Sequence, residues 1–201
     1  MAKIDHERRA AFQRRAWRLA VMLSSDPAHA QELFDHLMRE LPTIERLDPV
    51  RLDRMVIMRA REFEPEIEAA PRTMPPKLPD DPAARALIAA RVLPRQAREA
   101  WLLRHVDQME DRDIAKAMDC SVTALLRHLE VAEQHMRDML GDQFEPAATA
   151  LRNRIAQRDP MPVIARWEAR RRRGRFLRRI VWLILLAALA TAAWWAWQRL
   201  T

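Results

Sequence analysis

Hydrogen-bonding side chains stand together just after a predicted turn in the second half of the chain. Ser121 and Thr123 carry hydroxyl groups, Arg127 carries a guanidinium and His128 carries an imidazole. Each group can bond a phosphate oxygen or the edge of a base. With Ala124 at the same helix start, they form the candidate DNA-contact set.

Two helices joined by a tight turn are predicted to position this set. The apolar run at 114–118 predicts a first helix of about two turns. Asp119 tolerates the left-handed conformation, Ser121 can cap the next helix, and Gly141 ends it. The predicted buried face of the second helix is Val122, Leu125, Leu129, Ala132 and Met136. A third helix precedes them, with Pro94 at its first position. This order is typical of a helix-turn-helix, although a generic amphipathic bundle is the alternative.

Four phrases of this region resemble region 4 of bacterial RNA polymerase sigma factors of the extracytoplasmic-function (ECF) type. They are ALIAARVLP (86–94), REAWLLRHV (98–106), DIAKAM (113–118) and SVTALLRHL (121–129). The resemblance covers about sixty residues. It implies that the last helix is a recognition helix for promoter DNA, and that the partner is the RNA polymerase core.

The first third of the chain resembles sigma region 2 in AWRLA (16–20) and SDPAHAQELFDHL (25–37). The resemblance implies that Glu32, Leu33 and Asp35 contact the polymerase. In the family, an aromatic and basic helix follows and opens the −10 element. Here residues 48–63 offer one Phe and no Tyr or Trp. Because separated bases stack on aromatic faces, promoter melting by this chain is not expected.

The composition and the positions of the prolines predict an all-α protein with two small helical domains and a C-terminal transmembrane helix. The chain of 201 residues has two Gly, and five prolines between 65 and 79 indicate a linker. Each of four Asp-Pro pairs fits a helix cap followed by proline: Asp26-Pro27, Asp48-Pro49, Asp81-Pro82 and Asp159-Pro160. The predicted segments are a region 2-like domain (1–64), a Pro-rich linker (65–80), a region 4-like domain (81–141), a connecting helical segment (142–165), an Arg-rich juxtamembrane segment (166–179) and a transmembrane helix (180–198).

A membrane anchor is predicted near the C-terminus. Residues 180–197 hold Thr191 as their one polar residue, and a helix of that length spans about 27 Å. Trp residues near both ends fit interfacial belts. A buried core helix is the alternative, but it would need a surrounding core on all faces. No N-terminal signal peptide is expected, since the first 18 residues are charged throughout.

The charge beside this segment predicts its orientation. Residues 166–179 contain eight Arg and one Glu. The positive-inside rule keeps the N-terminal body in the cytoplasm, as a single-pass protein of the inner membrane. The arginines are expected to hold anionic lipid headgroups, a DNA-binding arm being the alternative. The predicted lipid-contacting residues are Arg170, Arg171, Arg172, Arg173, Arg175, Arg178 and Arg179.

The high net charge of +7 does not indicate nucleic-acid binding by the body. Residues 1–165 carry 26 Lys and Arg against 27 Asp and Glu, and residues 81–140 carry 9 against 10. Binding to DNA depends largely on phosphate neutralisation. The predicted recognition helix has Leu126, Val131 and Glu133 where the family typically has basic residues. The fold signal is therefore stronger than the DNA signal.

No enzyme, cofactor or metal site is predicted. The six histidines are scattered, and the single Cys120 has no partner with metal-ligand spacing. Two glycines are too few for a phosphate-binding loop.

Two functions of different class remain. The first is a membrane-tethered, sigma-like regulator that binds polymerase and promoter DNA. The second is a sigma-derived interaction module at the membrane that has lost promoter recognition and binds polymerase, an anti-sigma factor or a membrane complex. The resemblance favours the first, and the near-zero charge with the missing aromatics favours the second.

Overall fold

The computed structural model describes residues 2–24, 27–40, 48–63, 79–158 and 161–170, together with positions 182 and 189. All regular structure within these ranges is helical, which confirms the all-α prediction for the described part of the chain. The chain divides into two compact units, Met1–Pro160 and Met161–Thr201. The domain boundaries predicted from the sequence stay predictions.

The first unit contains eight α-helices within the described residues. They are α1 (Ala2–Leu23), α2 (Pro27–Arg39), α3 (Pro49–Phe63), α4 (Pro82–Val92), α5 (Arg95–Trp101), α6 (Asp111–Met118), α7 (Val122–Leu140) and α8 (Phe144–Gln157). A π-helical turn, Leu102–Val106, follows α5, and a 3-10 turn, Gly141–Gln143, precedes α8. In the second unit, residues 161–170 are helical.

Two of the predicted Asp-Pro caps are described, and both are confirmed. The backbone N–H of Ala84 donates to Asp81 Oδ2 at 3.0 Å, and α4 begins at the next residue after Asp81. The N–H of Arg51 donates to Asp48 Oδ1 at 2.9 Å in the same way. Asp26 and the pair at 159–160 lie outside the described residues. Pro94 is the cap of α5 rather than its first helical residue, because its ψ of 142° is not helical.

The first three helices bury one apolar face each against the others. Their core consists of Ala16, Leu19, Ala20, Leu33, Phe34, Leu37, Leu52, Val56 and Ile57, each at most 1% exposed. Trp17 packs edge-to-face on Phe34, with ring centroids 5.4 Å apart. These contacts make α1–α3 a three-helix layer.

Helices α4 to α8 form a second helical group around Trp101, which is fully buried. The Trp101 ring stacks on His105 at 5.6 Å between centroids, and Phe144 packs on both rings. Arg152 of α8 donates two hydrogen bonds, at 2.7 and 3.2 Å, to the carbonyl of His105. That carbonyl lies in the π-helical turn, so α8 satisfies an acceptor that the irregular turn leaves open.

The predicted membrane segment lies almost wholly outside the described residues. Within the part of the chain that is described, no helix has the length and apolar character needed to cross a bilayer. Of the predicted span at 180–198, positions 182 and 189 alone are described. The predicted linker at 65–80 is likewise described at 79 and 80 only.

Candidate nucleic-acid interface

A tight turn of three residues, 119–121, joins α6 to α7, as a helix-turn-helix requires. Asp119 adopts φ 59° and ψ 45°, so its predicted left-handed conformation is confirmed. Its N–H donates to the Lys116 carbonyl at 3.3 Å, and the Cys120 N–H donates to the Ala115 carbonyl at 2.9 Å. This pair of bonds is a Schellman motif, which ends α6 after two turns.

Ser121 begins the second helix as predicted. Its hydroxyl oxygen accepts a hydrogen bond from the Ala124 N–H at 3.1 Å, and α7 ends at Leu140, directly before Gly141. Cys120, between the two caps, is half-buried, and burial raises the pKa of its thiol. A raised pKa favours the neutral thiol, which suits the predicted packing role.

The core between the two helices agrees with the predicted stripe at all but one position. Leu125, Leu129, Ala132 and Met136 are buried, as are Ile114 and Met118 of α6. The prediction that Val122 is buried is wrong, since 42% of its surface is exposed. The buried stripe begins one turn later at Leu125, because Val122 shares the solvent-facing side of the first turn with Leu126, four residues on.

The predicted DNA-contact residues all lie on the first two turns of α7 or at its cap. Ser121, Thr123 and Arg127 are exposed, whereas Ala124 and His128 are half-buried. Within the described part of the chain, no ion pair engages Arg127. Their gathering at one helix start is shown, and their contact with DNA stays a prediction.

Charges further along α7 are already partnered. Arg137 Nη2 lies 2.7 Å from Glu133 Oε2, and its guanidinium sits over the Phe144 ring at 5.5 Å. His105 Nε2 lies 3.2 Å from the other carboxylate oxygen of Glu133. The last turns of α7 therefore serve packing within the bundle, whereas the exposed side chains of Thr123 and Arg127 lie at its beginning.

Helix α3 packs against α6, which joins the N-terminal helices to the helix-turn-helix. Helix α3 also contacts α5, because Arg61 of α3 donates hydrogen bonds to the carboxylate of Glu99 on α5. Arg61 Nη2 lies 2.6 Å from Glu99 Oε2, and Nε lies 3.1 and 3.2 Å from the two oxygens. The side chain of Glu99 is 5% exposed. The hydrogen bonds to Glu99 raise the pKa of Arg61, although burial acts in the opposite direction.

A second charged cluster joins the two groups of helices more deeply. Arg15 Nε and Nη2 donate to the two oxygens of Asp53 at 2.9 and 2.8 Å. Its Nη1 also lies 2.5 Å from Asp107, whose side chain is fully buried and whose other oxygen is 3.1 Å from Arg18 Nε. Burial would lower the pKa of Arg15, but the two carboxylates raise it. Burial raises the pKa of Asp53 against the effect of Arg15.

Sequence reasoning missed these two clusters, although one signal was available. Asp53 stands between Leu52 and Val56 on a helix face that is otherwise apolar. A carboxylate at such a position needs a buried partner. Which cation would supply it could not be read locally, since Arg15 lies 38 positions away.

Helix α3 also reaches the turn itself. Arg54 Nη2 lies 2.7 Å from Asp119 Oδ2, and both side chains are about half exposed. The residue that adopts the left-handed conformation of the helix-turn-helix is therefore paired with a cation from the N-terminal helices.

The predicted polymerase-contacting residues on α2 have different surroundings. Glu32 is exposed. Asp35 is half-buried and accepts a hydrogen bond from Gln31 Nε2 at 2.9 Å. Leu33 is 1% exposed, so its side chain belongs to the core of the three-helix layer and is not presented to a partner.

Of the seven predicted lipid-contacting arginines, one lies within the described residues. Arg170 is exposed at the end of the helical stretch 161–170. The other six lie outside the described residues: Arg171, Arg172, Arg173, Arg175, Arg178 and Arg179.

No family model, curated protein or solved structure matches this chain. The likeness to ECF sigma factors therefore rests on the sequence phrases of regions 2 and 4.

Proposed function

We propose that this chain is a membrane-tethered, sigma-like transcription regulator that binds RNA polymerase and contacts promoter DNA through its helix-turn-helix. One observation carries the proposal. A short helix, a left-handed Asp119 and a Ser121-capped second helix present Ser121, Thr123 and Arg127 to solvent at the same end. In helix-turn-helix proteins, the beginning of the second helix enters the major groove.

Contact with the polymerase core is proposed on α2. Glu32 is exposed there, and Asp35 keeps part of its carboxylate accessible. Both carboxylates suit a basic partner surface, because complementary charge raises the rate of association and fixes register. Leu33 supports this surface from within the core.

The membrane tether is proposed from the apolar segment at 180–197 and the arginines before it. A reporter that works only outside the cytoplasm, fused after position 201, should be active, because the arginines hold the body inside. The same reporter fused before residue 2 should be silent. Recovery of the native chain in the soluble fraction would contradict the tether.

An alternative function is a sigma-derived interaction module that binds a protein, such as polymerase or an anti-sigma factor, without reading DNA. Exposed apolar residues on α7 favour it. Val122, Leu126 and Val131 are 42%, 51% and 43% exposed, and the first two lie one turn apart. Apolar residues at such positions suit a protein partner better than phosphates.

Two substitutions on α7 test the DNA contact. Arg127→Ala should weaken binding of promoter-containing duplex, because it removes an exposed guanidinium from the proposed recognition surface. Leu126→Lys should strengthen binding, since it adds a cation one residue away. The matched control is Val131→Ala, which changes an exposed position more than two turns from the cap. Fluorescence anisotropy of the detergent-solubilised chain, with and without polymerase core, measures all three.

The two functions differ in a joint result. Capture of polymerase core together with a DNA signal that responds to Arg127→Ala supports the sigma-like regulator. Capture of core by wild type, loss of capture after Leu126→Lys and no DNA signal at any salt concentration would support the interaction module.

A further inference from the structure

A groove runs between α3 and the helix-turn-helix, at the end where the recognition helix begins. It has a volume of about 650 Å³ and is lined by Arg54 of α3, by Arg112 and Lys116 of α6, and by Ser121 of the turn. A smaller groove of about 350 Å³ adjoins it, with Arg54 and Lys116 on both. Arg51 lines that second part.

Positive charge is concentrated in this α3–α6 groove. Four cations line its two parts, and three carboxylates lie beside them: Asp48 and Asp119 in the lining and Asp113 paired with Lys116. Residues 1–165 as a whole carry one more acidic than basic residue. The groove is therefore a local cationic site on a body that has no net positive charge.

The cations in the groove are available for another partner. Arg112 is exposed and has no ion pair within the described residues. Arg51, Arg54 and Lys116 pair with Asp48, Asp119 and Asp113, but the side chains of these three cations are 75%, 50% and 65% exposed. Ion pairs so exposed to solvent contribute little to stability. A phosphate can therefore replace them without unfolding the turn.

The beginning of α7 opens onto the same groove. Ser121 and Val122 line it, and the Ser121 cap occupies the N–H of Ala124 and leaves the N–H groups of Val122 and Thr123 pointing out of the helix end. The positive end of the helix dipole adds to the field of the four cations.

We propose that the α3–α6 groove binds the phosphodiester backbone of duplex DNA beside the recognition helix. Helix α3 thereby supplies, through Arg51 and Arg54, phosphate contacts that residues 81–140 lack on their own. The proposal rests on the proposed DNA-binding function and extends it, because it makes the N-terminal helices part of the DNA surface.

Protection of Lys116 from acetylation tests the groove directly. The chain contains three lysines, and Lys3 and Lys77 serve as internal references. The full chain in non-ionic detergent is treated with N-hydroxysuccinimidyl acetate, with and without a mixed-sequence duplex of about 30 base pairs, three helical turns. Mass spectrometry should show that the duplex slows acetylation at Lys116 several-fold relative to the references. DNA held only by the arginines at 166–179 would leave Lys116 unprotected and would overturn the proposal.

The salt dependence of binding tests the contribution of α3. The logarithm of the association constant falls linearly as the logarithm of the salt concentration rises. The magnitude of this negative slope should decrease by about 0.9 for each phosphate that the protein no longer neutralises. The double variant Arg51→Gln/Arg54→Gln should therefore make the slope shallower by nearly twice that amount. It should also abolish protection of Lys116. The charge-preserving double variant Arg51→Lys/Arg54→Lys should retain both signals. The matched control is Arg91→Gln, since Arg91 is exposed at the end of α4 and lines neither part of the groove.

The outcomes separate this proposal from the function on which it rests. An unchanged slope in the Gln double variant, with binding still weakened by Arg127→Ala, would overturn the groove and leave the DNA-binding function standing. No binding of any duplex by wild type would overturn both. Circular dichroism of each variant shows whether a weaker signal reflects weaker DNA binding or unfolding. Protection of Lys116 in the wild-type chain keeps the test decisive if the Gln variant unfolds.

Discussion

At the scale of single residues, Asp119 combines two tasks. It adopts the left-handed conformation that ends α6, and its carboxylate holds Arg54 of α3. Asp and Asn enter this conformation more easily than branched residues do. One side chain therefore forms the turn and also makes an exposed contact with α3, and substitutions can separate the two.

Three substitutions at Asp119 should have ordered effects on the free energy of unfolding. Asp119→Asn keeps the backbone preference and loses the exposed ion pair, for a cost of at most about 1 kcal/mol. Asp119→Gly should stay within about 1 kcal/mol of wild type, since it relieves strain and loses the same pair. Asp119→Val should cost about 1–3 kcal/mol, because a β-branched residue is strained at φ 59°. Thermal unfolding of the detergent-solubilised chain measures this, and a valine variant as stable as wild type would contradict the turn.

Asp81 gives a pH-dependent contribution to stability. The Arg154 guanidinium, which is hydrogen-bonded to its carboxylate, lowers the pKa of Asp81 below the ordinary value of 3.8. A lowered pKa in the folded state gives stability that is present above the ordinary value and is lost as the pH falls toward the folded value. Asp81→Asn keeps the helix cap and removes the charge.

Wild type should therefore be more stable than the Asp81→Asn variant at pH 7, and the difference should shrink below about pH 4. The melting temperature of both proteins between pH 3 and 7 measures it. The control is Asp80→Asn, since the Asp80 side chain is 99% exposed and lies 3.8 Å from its nearest cation. A difference that persists unchanged into acid would show that the charge of Asp81 is not responsible.

At the scale of helices, the buried stripe of α7 holds the helix-turn-helix together. Leu129 is 6% exposed and packs in the core, while Leu126, three positions earlier, is 51% exposed. Leu129→Ala should cost about 2–5 kcal/mol, because it opens a cavity. Leu126→Ala should change stability by less than about 0.5 kcal/mol. Urea unfolding of the two variants compares them, and equal losses would place the stripe on the wrong face.

Local sequence signals were enough for the caps and the turn. Asp48, Asp81 and Ser121 cap helices as predicted, because capping depends on residues within one turn of each other. The prediction that Val122 is buried was wrong. Helical spacing shows which residues share a face, but it does not show at which residue another helix begins to cover that face. The candidate contact residues lie together at the start of α7 for the same local reason as the caps, and their contact with DNA stays a prediction.

The cationic groove could not be predicted from the sequence. Arg54 and Lys116 lie 62 positions apart and line one cavity only because α3 packs on α6. The net charge of residues 81–140 did not indicate the groove, because two of its four cations, Arg51 and Arg54, come from α3. Periodicity describes one helix at a time and says little about which faces of distant helices meet.

At the scale of the whole molecule, the Arg61–Glu99 pair should hold α3 against α5, the helix that precedes the helix-turn-helix. Glu99→Ala should cost about 3 kcal/mol, the lower end of the range for a broken buried pair, because Arg61 keeps 19% of its surface exposed. A double-mutant cycle with Arg61→Ala should give a coupling energy of about 1–3 kcal/mol. The control is Arg59→Ala, which removes the ion pairs of a second α3 arginine with Glu40 and Glu62 and leaves Glu99 in place. Additive losses would mean that the pair does not couple the two groups of helices.

The cluster of Arg15, Asp53 and Asp107 has a consequence for synthesis on the ribosome. Helices α1 and α3 leave the exit tunnel well before Asp107, and the fully buried carboxylate of Asp107 is one of the partners that Arg15 and Arg18 need. Domains generally fold as units during translation. We therefore expect nascent chains that stop before residue 107 to be digested readily by protease, and chains released past α8 to become resistant in a single step.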